Sequence, residues 1–165
     1  MSVSAKSVSR SNQEPLILLV DDCDENREIL SILLAPLEAR IIEAQSGEEA
    51  LTKVHQTKPA LMLLDVNMPG MDGFAVAKRL REFSNTYLIF ITALGDEIDV
   101  VTGFEAGADD YLVKPFRPRE LRARADSMLR RPRGRSDVGG AAAVGDGSEA
   151  VISAVIERHD GTPAP

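Results

Sequence analysis

Four short apolar runs in this chain each end in a polar residue and then a loop, and their order leaves few folds open. The most informative is Leu61–Leu64, which delivers Asp65 and passes at once into Val66–Gly73, a segment holding Pro69, Gly70 and Gly73. That pattern reads as a buried strand carrying a carboxylate to the edge of a sheet where a loop begins. Leu16–Val20 runs in the same way into Asp21 and Asp22, Tyr87–Ile91 into Thr92 and Ala93, and Asp110–Val113 into Lys114 and Pro115. Open α/β sheets put their chemistry at such strand ends.

Helical patterns fill the gaps between these runs. Asp24 is a fair N-cap for a helix with an apolar stripe of Ile29, Leu30, Leu33, Leu34 and Leu37, ended or kinked by Pro36. Arg40–Ala44 reads as a second strand, and Ser46 caps a second helix that Pro59 closes off. Gly73–Leu80 is a third helix, Glu97–Ala106 a fourth that stops at Gly107, and a fifth starts at Pro118 and runs through Leu121, Ala125 and Leu129 to Arg131. Five strands alternating with five helices through short loops predict an α/β fold with a doubly wound, five-stranded parallel sheet. Strand order 2-1-3-4-5 makes Asp21, Asp22 and Asp65 neighbours at the switch point.

At 165 residues, the chain has room for one domain with a real core and spare length. A formal charge of -7 argues against a general nucleic-acid binder. The single cysteine, Cys23, fits a reducing compartment, and no run approaches the roughly 18 apolar residues of a membrane span. A cytoplasmic protein without a membrane partner is expected. Residues 1–14 read as a disordered leader, 15–131 as the folded domain, and 132–165 as a Gly/Ala/Arg-rich linker or tail. Within the tail, residues 148–158 place Val151, Ile152, Val155 and Ile156 on one helical face; a frayed tail and a short docking helix both fit.

Three carboxylates at one rim repel one another unless a cation neutralises them. Mg²⁺, held by few carboxylates and keeping several waters, suits the set and leaves room for phosphoryl oxygens. An Asp carboxylate can itself attack phosphorus when a metal, an ammonium and a hydroxyl share the developing charge. Asp65 is then the nucleophile, Asp21 and Asp22 the metal acids, Lys114 the fixed cation and Thr92 the hydroxyl donor. Each has a plainer reading taken singly: the Asp pair as a turn or cap, Thr92 as a structural strand end, Lys114 as an exposed loop residue, Met68 and Met71 as packing. Five such residues at successive strand ends in this order make coincidence a poor account.

The chain from 16 to 131 resembles the receiver domain of two-component response regulators, which has a flavodoxin-like fold. The resemblance is carried by Val20–Asp22, by Leu64 and Asp65 with Met68–Gly73, by Ile91–Ala93, and by Gly107–Phe116. It implies a non-enzymatic phosphoacceptor, with Asp65 taking a phosphoryl group from a histidine kinase or phosphotransfer protein. Mg²⁺ is implied on Asp22, Asp65 and the backbone carbonyl of Asn67, with Asp21 acting through water, and a cis peptide at Lys114–Pro115. It further implies that Thr92 moves toward the phosphoryl group while Tyr111 turns inward, repacking the surface of the fourth helix, fifth strand and fifth helix. Asn67 and Leu94 flank the path of the attacking water in this family; Leu94 cannot orient that water, so slow self-dephosphorylation is expected.

Asp109 and Asp110 with Arg119–Arg124 look most like receivers that precede winged-helix DNA-binding domains, and a similar receiver precedes cyclic-nucleotide synthases. Such receivers dimerise through this face, strand-five acids meeting a helix-five Arg such as Arg124. Val100 stands where a basic residue would face Glu120, so the homodimer is expected to be weak or to use another surface. Residues 132–165 are fewer than the roughly 50 of a typical independent domain. A stand-alone receiver acting on an effector protein and a receiver missing its output domain are both consistent with that. Direct nucleic-acid binding by the Arg117–Arg135 cluster is not expected, because stacking aromatics are absent. A phosphatase of the haloacid dehalogenase type needs a second Asp where Asn67 stands. A degenerate receiver that binds protein without phosphorylation is the alternative function, and Cys23 reads as a small loop residue before it reads as a redox sensor.

Overall fold

The computed structural model describes residues 14–131. The expected leader, tail and 148–158 stripe lie outside the described residues, apart from Glu14. The elements run β1 (Leu16–Val20), α1 (Asp24–Leu34), a 3₁₀ turn (Ala35–Leu37), β2 (Arg40–Ala44), α2 (Gly47–Thr57), β3 (Leu61–Leu64), α3 (Gly73–Arg81), β4 (Tyr87–Thr92), α4 (Glu97–Ala106), β5 (Asp110–Val113) and α5 (Pro118–Leu129). All five strands pair in parallel in the order β2-β1-β3-β4-β5. Val20 pairs with both Ala44 and Leu64, Leu64 with Phe90, and Thr92 with Val113.

Two cores form because side chains alternate across the sheet. Leu18, Val20, Met62, Leu64, Leu88 and Phe90 face α2, α3 and α4. Ile17, Leu19, Leu61, Leu63 and Ile89 face α1 and α5. The central strands are apolar on both faces for this reason, and truncating one such buried leucine to alanine should cost about 2–5 kcal/mol. Ser46 caps α2 by accepting from Glu49 N–H at 3.1 Å, and Asp72 caps α3 by accepting from Ala75 N–H at 2.9 Å. Gly107 ends α4 in the left-handed region at φ 118°, where a Cβ would be strained. Met68 and Met71 pack on the core, as their plainer reading has it.

α1 departs from the sequence reading in two ways. Cys23, not Asp24, is the N-cap; its N–H donates to the Asp21 carboxylate at 2.9 Å, turning the chain so that Asp24 is already helical. The buried face is Arg27, Leu30 and Leu34, with Leu33 and Leu37 at its margin. Ile29 remains 54% exposed because a helix turns about 100° per residue, carrying it off the face that Leu30 defines. Pro36 acts as expected: α1 ends at Leu34 and a 3₁₀ turn carries the chain past the proline.

Candidate functional site

Parallel strands bring the C-terminal ends of β1, β3, β4 and β5 to one rim, and backbone hydrogen bonds continue the ladder past the strands. Asp21 N–H donates to Ala44 O at 3.2 Å, Asp65 N–H to Val20 O at 3.1 Å, and Lys114 N–H to Thr92 O at 2.8 Å. These rungs fix where three charged side chains leave the backbone. The Lys114 ammonium then stands 3.9 Å from Asp21 Oδ2 and 3.7 Å from Asp65 Oδ2. Both separations exceed a direct hydrogen bond of about 2.7–3.2 Å, so one cation is shared between two carboxylates as an ion pair and is hydrogen-bonded to neither.

Asp21 is only 2% exposed, and Cys23 N–H and the Asn26 amide donate to its two oxygens. Burial above all pushes its carboxyl pKa up; Cys23 N–H opposes that, the Asp65 charge adds to it, and Lys114 pulls down again. Asp22 and Asn67 are exposed on the same rim. Asn67 N–H donates to Asp65 Oδ1 at 3.3 Å. Gly73 sets the loop that carries Asn67: a Cβ there would lie 2.5 Å from the Asp65 carbonyl oxygen, so only glycine lets α3 start against the Asp65 backbone.

Among the described residues, no group of three or more His, Cys, Asp or Glu side chains forms a ready-made metal cage. The donor set instead fits a hard cation that keeps most of its waters: carboxylate oxygens of Asp21, Asp22 and Asp65 and the backbone carbonyl of Asn67, an exposed residue.

Thr92 is fully buried at the end of β4, and its hydroxyl oxygen accepts from Leu94 N–H at 3.3 Å. The Leu94 carbonyl in turn accepts from the Tyr111 hydroxyl at 2.7 Å. One residue therefore links the rim threonine to the strand-five tyrosine. Tyr111 is inward, 1% exposed, with its ring beside Phe90 and Phe104. The Lys114–Pro115 peptide is cis.

The family model for the response regulator receiver domain matches residues 17–126. The chain belongs to this family. Such receiver domains serve phosphorylation-dependent two-component signalling and are signalling modules rather than enzymes. Similar proteins include a probable transcriptional regulator, ycf27, of Pyropia yezoensis, 48% identical over 73% of this chain and 49% of its own length. The transcriptional regulatory protein SrrA of Staphylococcus aureus is 47% identical over 70% and 48%. AfsQ1 of Streptomyces coelicolor is 44% identical over 71% and 52%. The chain spans about half the length of these relatives. Among solved structures, the BeF3-activated DrrB receiver domain aligns with a TM-score of 0.67 and 34% identity, covering 72% of this chain and all of that one. The BeF3-activated receiver domain of Klebsiella pneumoniae RstA gives 0.67 and 28%, over 70% and 99%.

On the α4–β5–α5 side of this receiver domain, Arg124 donates to both oxygens of Asp110, at 2.8 and 2.6 Å, and to Glu120 at 3.0 Å. Burial works against its charge, but Asp110 and Glu120 more than restore it. Asp109 turns the other way, pairing with Arg81 at 3.0 Å and accepting from Leu88 N–H at 2.9 Å. Val100 packs in the core at 1% exposure, so it presents no side chain to Glu120. Among the described residues, no helix is long and apolar enough to cross a membrane.

Arg27 is a site residue the sequence reading missed. Buried on α1, its guanidinium donates to the Asp21 carbonyl, to Asp24, and to Glu43 at 2.8 Å, fixing the loop that holds the acid pair. Its signal was present: an arginine at helical spacing from Leu30 and Leu34, a cation in an apolar stripe.

Proposed function

We propose that Asp65 is the phosphoacceptor of a cytoplasmic two-component switch. The observation that carries this reading is the Lys114 ammonium shared by Asp21 and Asp65 on adjacent rungs of the sheet. In the transfer, an Asp65 carboxylate oxygen forms the new O–P bond as the bond from phosphorus to a donor histidine nitrogen breaks, the nitrogen keeping the electron pair. Lys114 swings from its carboxylate partners to a phosphoryl oxygen, and the Thr92 hydroxyl donates to another. Asp21, Asp22, Asp65 and the Asn67 carbonyl would hold Mg²⁺, which supplies positive charge to the phosphoryl oxygens.

The donor is a histidine kinase or phosphotransfer protein. The receiver acts on an effector protein or on an output domain in a longer chain, as its likeness to named transcriptional regulators suggests. When Thr92 turns to the phosphoryl group, Leu94 N–H loses its acceptor, and the Leu94 carbonyl that holds Tyr111 shifts with it. The α4–β5–α5 surface is the output, and a homodimer through it has to reuse or release the Arg124 pairs with Asp110 and Glu120.

Intact mass after incubation with phosphoramidate and Mg²⁺, beside Asp65→Ala, tests the reading. A single phosphoryl adduct requiring both Mg²⁺ and Asp65, and released by hydroxylamine, is the expected result. A folded protein that takes no phosphoryl group would instead be a phosphorylation-independent binding module.

A further inference from the structure

Gly103 lies in the interior of α4 with ordinary helical backbone, where alanine is the better helix former. Its backbone does not call for glycine. The space around it does: a Cβ at Gly103 would lie 2.7 and 2.8 Å from Cε2 and Cδ2 of the Tyr111 ring and 3.2 Å from Cδ2 of Phe90. Tyr111 thus packs edge-on against the bare Cα of Gly103.

The ring has little freedom to adjust within its seat, so relief of the clash means leaving it. Its hydroxyl is tied to the Leu94 carbonyl at 2.7 Å, and Phe90 and Phe104 stand beside it at ring centroid distances of 5.7 and 6.4 Å. Moving α4 away would uncover Val100 and Phe104, which that helix buries in the core. A methyl group at 103 therefore drives the ring, more than the helix, out of place.

We propose that Gly103 is a positioning residue that keeps the inward seat of Tyr111 open. Any side chain at 103 shifts the ring toward solvent and detaches it from Leu94, and so from the Thr92 end of the relay. This rests on the switch reading only in its consequence for output; the seat itself is a packing property.

The test uses a Tyr87→Phe background, since Tyr87 and Tyr111 are the two tyrosines and the chain has no tryptophan. Acrylamide quenching of fluorescence then reports Tyr111 alone. In the background protein Tyr111 should be protected, and adding Gly103→Ala should raise quenching several-fold, toward that of a free tyrosine. Gly103→Ala should also lower the urea midpoint when Tyr111 is present, but not when Tyr111→Val has removed the ring. Unchanged protection of Tyr111 in Gly103→Ala would overturn the proposal. So would an equal loss of stability with and without the ring, which would place the clash elsewhere. Should Gly103→Ala fail to fold, recovery of folding in Gly103→Ala/Tyr111→Val supports the proposal and continued failure overturns it. Adduct formation by the parent chain is scored separately, so failure of the phosphoacceptor reading is distinguishable from failure of the Gly103 assignment.

Discussion

Asp21 and Asp65 each aim one carboxylate oxygen at the same ammonium, at 3.9 and 3.7 Å. A single cation for two charges leaves the pair undercompensated, and burial pushes the Asp21 pKa above its ordinary value. A carboxyl raised in the fold contributes its stability below the unfolded pKa of about 3.9 and loses it as pH rises through the folded value. At neutral pH the charged Asp21 therefore weakens the fold. Asp21→Asn should raise the urea midpoint at pH 7 without Mg²⁺ and remove most of the stabilisation that added Mg²⁺ gives the parent. Denaturant melts at several Mg²⁺ concentrations check both halves; a lower midpoint in the variant would mean the acid's hydrogen bonds outweigh its charge.

Tyr111 should make the protein sensitive to alkali. Burial raises its hydroxyl pKa, with the charges of Asp99 and Asp65 adding to the effect. Its contribution is complete below the unfolded tyrosine value of about 10 and declines above it, at a limit of about 1.4 kcal/mol per pH unit. Urea midpoints followed into that range should fall more steeply for the parent than for Tyr111→Phe. Parallel curves would show that the hydroxyl ionises freely in the fold.

Arg124 Nη1 spans both oxygens of Asp110, and the two side chains are 14% and 8% exposed. Removing one partner strands the other, so Arg124→Ala should cost about 3 kcal/mol. The double variant Arg124→Ala/Asp110→Ala should recover part of that loss. Arg130 and Asp126 make a pair exposed to solvent at 75% and 44%, and Arg130→Ala should cost about 1 kcal/mol or less. Equal losses at the two sites in chemical denaturation would contradict the burial argument.

Leu94 offers no side-chain hydrogen bond to a water attacking the acyl phosphate, so the phosphorylated parent should be long-lived. Leu94→Glu, which supplies a carboxylate to hydrogen-bond and orient that water, should shorten that lifetime by about tenfold or more. Hydroxylamine-labile adduct followed by intact mass over time measures it. An equal or longer lifetime in the variant would remove Leu94 from the water path.

Much of the fold was legible because each apolar run is short, bounded by Pro, Gly or a capping residue, and separated by one helix from the next. β2, α4 and β5 have the bounds that their sequence patterns predict. The rim set was legible for the same reason: Asp21, Asp65, Thr92 and Lys114 follow strand-forming runs, and parallel pairing leaves them one rim to share. α1 was read less well, since an apolar stripe of Ile29, Leu30, Leu33 and Leu34 covers more of the helix than the sheet can bury.

Sequence by itself determined the element order, the parallel sheet and the residue types at its C-terminal rim, because those depend on local periodicity and chain direction. Tertiary structure alone decided what depends on the separation of groups distant in the chain. It placed one ammonium between two carboxylates, turned Asp109 to Arg81 while Asp110 meets Arg124, and buried Arg27 beneath the acid loop. It also set Tyr111 against a glycine whose helical backbone gives no sign of the ring it accommodates. Hydrogen bonds and close packing are fixed by distances of a few tenths of an ångström, and a linear pattern carries no such distances.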